Sequence, residues 1–222
     1  MPEREVKKMR FEVRAEENLV NHKASLVGLP IVYGQVIQYG WRREVIDPGA
    51  VDENTDLTDV PFLIGHNTGM VPLARSRNNN ENSTMQLTVN DGGMDIRVDL
   101  DTENNAEARA LYSAVKRGDM SGMSFMFIVE SDSWDDIESD YPKRTILSIR
   151  KVLEVSAVAF PAYPQTTIEA AAEDAAPDGA RASLESARKQ LEEDRAAQSE
   201  AERRTAALER LNNLIKEGTQ NV

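Results

Sequence analysis

Met85-Gln-Leu-Thr-Val89, Asn90-Asp-Gly-Gly93 and Met94-Asp-Ile-Arg-Val-Asp-Leu100 follow one another without interruption. Two β-patterned runs flank four residues that turn readily, which is the signature of a β-hairpin. The pattern continues on both sides. Upstream, Met9 to Arg14 alternates apolar and polar as a half-buried strand should, and Leu29 to Ile37 is a second β-rich run. Asp47-Pro-Gly49 signals a turn and Asn78 to Asn82 a polar loop. Downstream, one helix interrupts the strands, from about Asn105 to Arg117. Asn104 with Glu107 resembles a capping pair, Ala110, Leu111, Ala114 and Val115 form the apolar face, and Gly118 is the stop. Many short strands with an inserted helix predict an α+β, mainly β fold, a closed barrel or sandwich rather than a doubly wound sheet.

The composition changes near residue 170. Residues 1–168 hold all the strand signals and form the expected first domain. Residues 169–182 are acidic and Ala-rich with Pro177 and Gly179, the makings of a flexible linker. Residues 183–222 read as a long charged helix, with Ser183 as N-cap and Gly218 as stop. Leu184, Ala187, Leu191, Ala201, Leu208 and Ile215 fit a heptad register, but Asp194, Gln198 and Thr205 weaken its middle. A solvated helix, a coiled coil and a docking helix for a partner all remain open.

Bulk properties narrow the function. A net charge of −12 over 222 residues argues against nonspecific binding to nucleic acid or to an anionic membrane. Without cysteine the chain has neither disulfides nor thiol catalysis. Its start lacks a signal-peptide apolar stretch, and no run approaches the roughly 20 apolar residues of a spanning helix. The expectation is a soluble intracellular protein.

Three segments set a chemically capable side chain in or beside an apolar run: Phe62-Leu-Ile-Gly-His66-Asn67, Gly122-Met-Ser124-Phe-Met-Phe127 and Val152-Leu-Glu154-Val-Ser-Ala-Val-Ala-Phe-Pro161. A hydroxyl, a base and a carboxylate are what acyl transfer to serine requires. His66 stands where an apolar strand turns into a loop. The other histidine, His22, lies in a polar segment and is expected to be exposed. Two histidines without cysteine argue against a zinc site.

Ser124 begins a strand and shares a face with Met126 and Ile128. Ser121 sits in the turn before it, as a cap or a solvated group, and Ser156 would share a strand face with Glu154 as a hydrogen-bonding neighbour. Glu154 is the odd residue of an apolar strand. A buried lone carboxylate is costly, so it needs a partner: His66, or else Arg150, Lys151 or another cation. Asp119 is the rival carboxylate.

The run Gly40-Trp-Arg-Arg-Glu-Val-Ile-Asp-Pro-Gly-Ala50, the Gly65-His66-Asn67 element, Arg117-Gly-Asp-Met-Ser-Gly-Met-Ser124-Phe-Met-Phe and Leu153-Glu-Val-Ser-Ala-Val-Ala-Phe-Pro-Ala-Tyr163 resemble the prohead serine proteases of tailed bacteriophages, in the family's order from about Phe11 to about Thr167. The chain departs from the family's commonest pattern at Met126, where Gly often follows Ser-Phe. No Arg-Arg pair of the kind assemblins use follows the Glu154 strand. The resemblance implies an assemblin-like β-barrel ringed by helices. It also implies a serine endopeptidase without cofactor, with His66 as base, Ser124 as nucleophile and Glu154 as third member. Its implied partners are the major capsid protein with its scaffold segment and the enzyme itself, by autocleavage, and a homodimer is a further expectation. The place of action would be the assembling prohead in the host cytoplasm. A catalytically inactive assembly module on the same fold is the alternative.

Overall fold

The computed structural model describes residues 13–17, 24–159 and 179–219. The chain divides into two compact units, residues 1–180 and 181–222. Among its described residues the first unit carries β1 (Val13–Glu17), β2 (Ala24–Val32), β3 (Ile37–Tyr39), β4 (Arg42–Ile46), β5 (Val60–Ile64), β6 (Ala74–Ser76), β7 (Met85–Asn90), β8 (Gly93–Leu100), α1 (Ala106–Arg117), β9 (Gly122–Asp135) and β10 (Lys143–Val158).

The opening hairpin forms as its sequence dictates. On β8, Met94, Ile96, Val98 and Leu100 are buried while Asp95 is exposed and Arg97 and Asp99 are partly so. Each buried aliphatic side chain contributes about 1.5–3 kcal/mol relative to exposure. Gly93 opens β8 at φ 145, and a Cβ there would meet the Ile31 carbonyl oxygen of β2 at 1.8 Å. Only glycine allows this approach. The turn at Asp47-Pro48-Gly49 also forms, with Ala50 N–H donating to Asp47 O and Gly49 at φ 89.

Four strands make one sheet in the order β1-β2-β8-β7. The other sheet runs β3-β4-β10-β5-β6, with β9 along the second edge of β10. β10 pairs in parallel with β4 through Lys143 to Ile146 and with β5 through Val155 to Ala157, and antiparallel with β9 along its whole length. Side chains of both sheets and of α1 (Ala108, Leu111, Val115) fill one core.

The expected closed barrel does not form. Among the described residues no strand ladder joins the two sheets; where β6 approaches β7, one backbone bond, Thr84 N to Arg75 O at 3.0 Å, bridges them. Asn79, in the left-handed region at φ 51, takes the place of a strand partner for Leu87. Its amide donates to Leu87 O at 2.7 Å and accepts from Leu87 N at 2.9 Å, which satisfies the edge of β7 without another strand.

Smaller differences have local causes. The N-cap of α1 is Asn105, not Asn104: the Asn105 side chain accepts from Glu107 N and Ala108 N, while Asn104 bonds back to Asp101. The stop at Gly118 is as expected, left-handed at φ 81. The run Leu29 to Ile37 is cut by a turn at Tyr33-Gly34, and β2 instead begins at Ala24. Of Met9 to Arg14, only Val13 and Arg14 lie within the described residues, and they begin β1. β10 starts nine residues before Val152, because its first half is half-polar and pairs on both edges with charged strands; Phe160 lies outside the described residues.

The helix α2 spans Gly179–Thr219, all but its first two residues in the second unit, so Ser183 lies inside the helix rather than capping it and Gly218 does not end it. The Ala and Arg residues at 180 to 182 are good helix formers and carry the start upstream. From Glu192 to Ala206 every side chain is exposed, Ala201 and Thr205 of the heptad register included. Most of the expected linker lies outside the described residues.

Candidate active site

Glu154 stands on β10 opposite Met126 of β9, and Ser156 stands opposite Ser124. Directly opposed residues share a sheet face, so Ser124, Met126, Glu154 and Ser156 all project to one side. The alternation that puts them there restarts at Leu153. Val152 pairs with Phe127 and Glu154 with Met126, so two residues of β10 advance against one of β9, a bulge that leaves Leu153 unpaired. Val152, Val155 and Ala157 face the core, whereas Leu153, Glu154 and Ser156 do not. A regular strand continued from Val152 would have turned Glu154 into that core.

His66 arrives from the other edge of β10. β5 pairs with it in parallel, Phe62 beside Val155 and Leu63 beside Ser156, and then reverses at Ile64-Gly65-His66-Asn67. Gly65 and His66 have φ 61 and 58, and Asn67 N–H donates to Ile64 O at 3.2 Å, the pattern of a primed turn. Positive φ is uncommon for a residue with a Cβ. Two bonds to β10 hold it: Gly65 N–H donates to Ala157 O at 2.9 Å, and His66 N–H donates to the Ser156 hydroxyl at 3.1 Å.

The His66 ring lies with Nδ1 2.5 Å from Glu154 Oε1. The second carboxylate oxygen, Oε2, accepts the Ser156 hydroxyl proton at 2.5 Å. Glu154 is almost wholly buried, its side chain 2 % exposed against 23 % for His66. Both oxygens of the buried carboxylate are thus engaged. Ser156 clamps the triangle by donating to the carboxylate and accepting from the backbone of the residue the carboxylate holds. With Nδ1 on Glu154, Nε2 is the nitrogen left for another proton partner.

Ser124 lies beside this group, across the strand from Ser156 and partly exposed, whereas Ser156 is fully buried. A substrate can reach the first hydroxyl and not the second. No side-chain hydrogen bond of Ser124 forms among the described residues, so its Oγ is not bonded to His66 Nε2. Catalytic bonds of this kind often close only around substrate.

The alternatives for Glu154 are not realised. Lys151 pairs with Asp56 at 2.7 Å and Arg150 approaches Glu130 at 3.9 Å. Asp119, exposed past the end of α1, pairs with Arg117. Ser121 is exposed in the turn. His22 lies outside the described residues. The structure also adds to Ser156 a bond that sequence could not give, its grip on the His66 backbone; no local signal marks it, because the two are 90 residues apart.

Among the described residues no group of three or more His, Cys, Asp or Glu is placed to hold a metal ion, and no helix is long and apolar enough to cross a membrane.

Ser124 and buried Glu154 thus share one face of the β9–β10 pair, and His66 reaches Glu154 from the end of β5. A family model described as caudovirus prohead serine protease matches residues 9–179, and the chain belongs to that family. No similar curated protein and no similar solved structure was found. Membership brings with it a serine-protease class and a setting in phage prohead maturation.

Proposed function

We propose that the chain is a serine endopeptidase that cleaves scaffold segments of the capsid protein, and its own tail, inside the maturing prohead. The observation that carries this reading is the 2.5 Å contact of His66 Nδ1 with buried Glu154 Oε1, one cross-strand pair away from Ser124. Ser124 Oγ attacks the peptide carbonyl carbon while His66 Nε2 takes the hydroxyl proton. The tetrahedral adduct collapses as the C–N bond breaks and that proton passes to the leaving amine. Water, deprotonated in turn by His66, hydrolyses the acyl ester and frees Ser124. Glu154 holds the imidazole in the tautomer with Nε2 unprotonated and balances the imidazolium that forms. Backbone N–H groups near Ser124 are the natural donors to the oxyanion.

In this reading the C-terminal helix serves delivery rather than chemistry. It offers no catalytic group, and its exposed charged surface suits docking on a scaffold partner.

A fluorophosphonate probe followed by intact mass tests the chemistry. One adduct on the wild-type chain, none on Ser124→Ala, and loss of capsid-protein cleavage on coexpression of that variant are the expected results. An inactive assembly module would take up no probe. Full cleavage by Ser124→Ala would remove Ser124 from the mechanism.

A further inference from the structure

A cleft of about 350 Å³ opens on the face that carries Glu154. Its walls come from three directions: Pro61 and Leu63 of β5, Thr68, Met70 and Pro72 of the loop that follows His66, and Met126, Leu153 and Glu154 of the hairpin, with Arg75 at one side. The volume sits at the low end of ligand pockets, room for one side chain with its flanking backbone.

Every charged group in the lining already has a partner. Arg75 grips Asp59 through Nε and Nη2 at 2.5 and 3.0 Å, and Glu154 is held by His66 and Ser156. Apart from the Thr68 hydroxyl, what remains to meet a ligand is aliphatic and thioether surface. Met126 and Glu154 lie two residues along their strands from Ser124 and Ser156, a displacement of about 7 Å. That is the reach of a side chain within two positions of a bond under attack at Ser124. The cleft shares Glu154 with the candidate active site.

We propose that this cleft is a specificity subsite. It accepts a medium-sized, uncharged aliphatic or thioether side chain of the substrate, such as Leu or Met, within two residues of the scissile bond. The proposal rests on the serine-peptidase reading above. A charged side chain would be desolvated there without a free counter-charge, and Ala would leave the walls unfilled. Methionine on two walls lets the site adapt to different aliphatic shapes.

A pool of internally quenched peptides, randomised around the cleaved bond and digested by the full chain, reads the preference directly. The expected profile favours Leu or Met over Ala, Asp and Lys at one position within two residues of the cut, by about 10- to 200-fold. Met70→Trp, which fills the cleft, should shift that position toward Ala and Gly. Met126→Ala, which enlarges it, should shift it toward Phe. Fluorophosphonate labelling is measured on every variant, because the small probe needs Ser124 but not the cleft. Labelling kept, with the same profile in both variants, would overturn the subsite. A wild-type preference for charged residues at every position would overturn it even if neither variant folds. Absence of labelling on the wild-type chain would instead strike the peptidase reading itself, and the subsite with it.

Discussion

At the Lys143 end of the β9–β10 hairpin, buried Glu44 and partly buried Asp132 meet guanidinium groups; at the Val158 end, Glu154 is buried against an imidazole and a hydroxyl. The first arrangement is closed. Arg42 meets Glu44 at 3.1 Å, and Arg144 meets Glu44 at 3.4 Å and Asp132 at 2.6 Å. Stacked Trp41 and Trp134 lie beside this cluster, with Arg42 over one ring and Arg144 over the other. Each guanidinium there meets at least one carboxylate. The second arrangement has no permanent cation. His66 is partly open to solvent. The two ends of the hairpin thus hold carboxylates in two ways, one against guanidinium groups and one against an imidazole.

The contrast predicts opposite responses to mutation. His66→Ala and Ser124→Ala should each lower the hydrolysis rate by a factor of about 10⁴ to 10⁶; Ser124→Ala should leave the thermal midpoint close to wild type, whereas His66→Ala should also lower it by stripping buried Glu154 Oε1 of its partner. Cleavage of capsid protein followed on a gel, beside a melting curve, reads both quantities. At the other end Arg144→Met should cost about 1–3 kcal/mol of stability, because it removes the buried guanidinium that Glu44 and Asp132 share. Fluorophosphonate titration of the protein that remains folded should give an unchanged labelling rate. A labelling rate that collapsed with stability intact would mean the two ends are coupled and the comparison is wrong.

Ser156→Ala should blur the division. It leaves Glu154 Oε2 and the His66 N–H without their partner, at a cost of about 1–3 kcal/mol, and frees the imidazole to wander. Activity and midpoint should therefore fall together, with Ser156→Thr recovering part of both. A variant that lost stability alone would reduce Ser156 to a structural clamp.

The smallest effect belongs to Asp56, which ties the segment before β5 to β10. The Lys151 ammonium, and then the hydroxyl and N–H of Thr58, hold its carboxyl well below the usual carboxylate range. A folded-state value below the unfolded one gives stability that is complete above about pH 4 and is lost as the pH falls toward the folded value. Melting curves between pH 6 and 2 should show wild type and Asp56→Asn converging at the acid end. Parallel curves would mean that the ion pair contributes nothing.

The sequence carried the hairpin at Asn90, the Gly118 stop and the three motifs at the candidate site, because each is written in neighbouring residues. It could not carry the register that sets Ser124 opposite Ser156, since pairing of distant strands depends on packing rather than on local pattern. The distal charge cluster was equally hidden. Glu44 and Arg144 are 100 residues apart, and the only local hint is Arg42 and Glu44 sharing one face of a short strand. The barrel failed to close for a reason no residue announces in isolation: Asn79, in a loop that reads as merely polar, finishes the edge of β7 with its side chain.

The bulge at Leu153 has a consequence for how this chain tolerates changes in length. In a regular strand, losing one residue inverts inside and outside for everything beyond it. Without Val155, Ser156 would inherit a core position. Leu153 is different, because its loss would convert the bulge into an unbroken ladder with Val152 inward and Glu154, Ser156 and Ser124 still on the opposite face. A one-residue deletion scan of β10 from Val152 to Ala157, read by thermal melting, should find its single permissive point there. The same deletion would strip one wall from the cleft, so the chain can shed a residue at Leu153 and keep its fold while changing what it accepts.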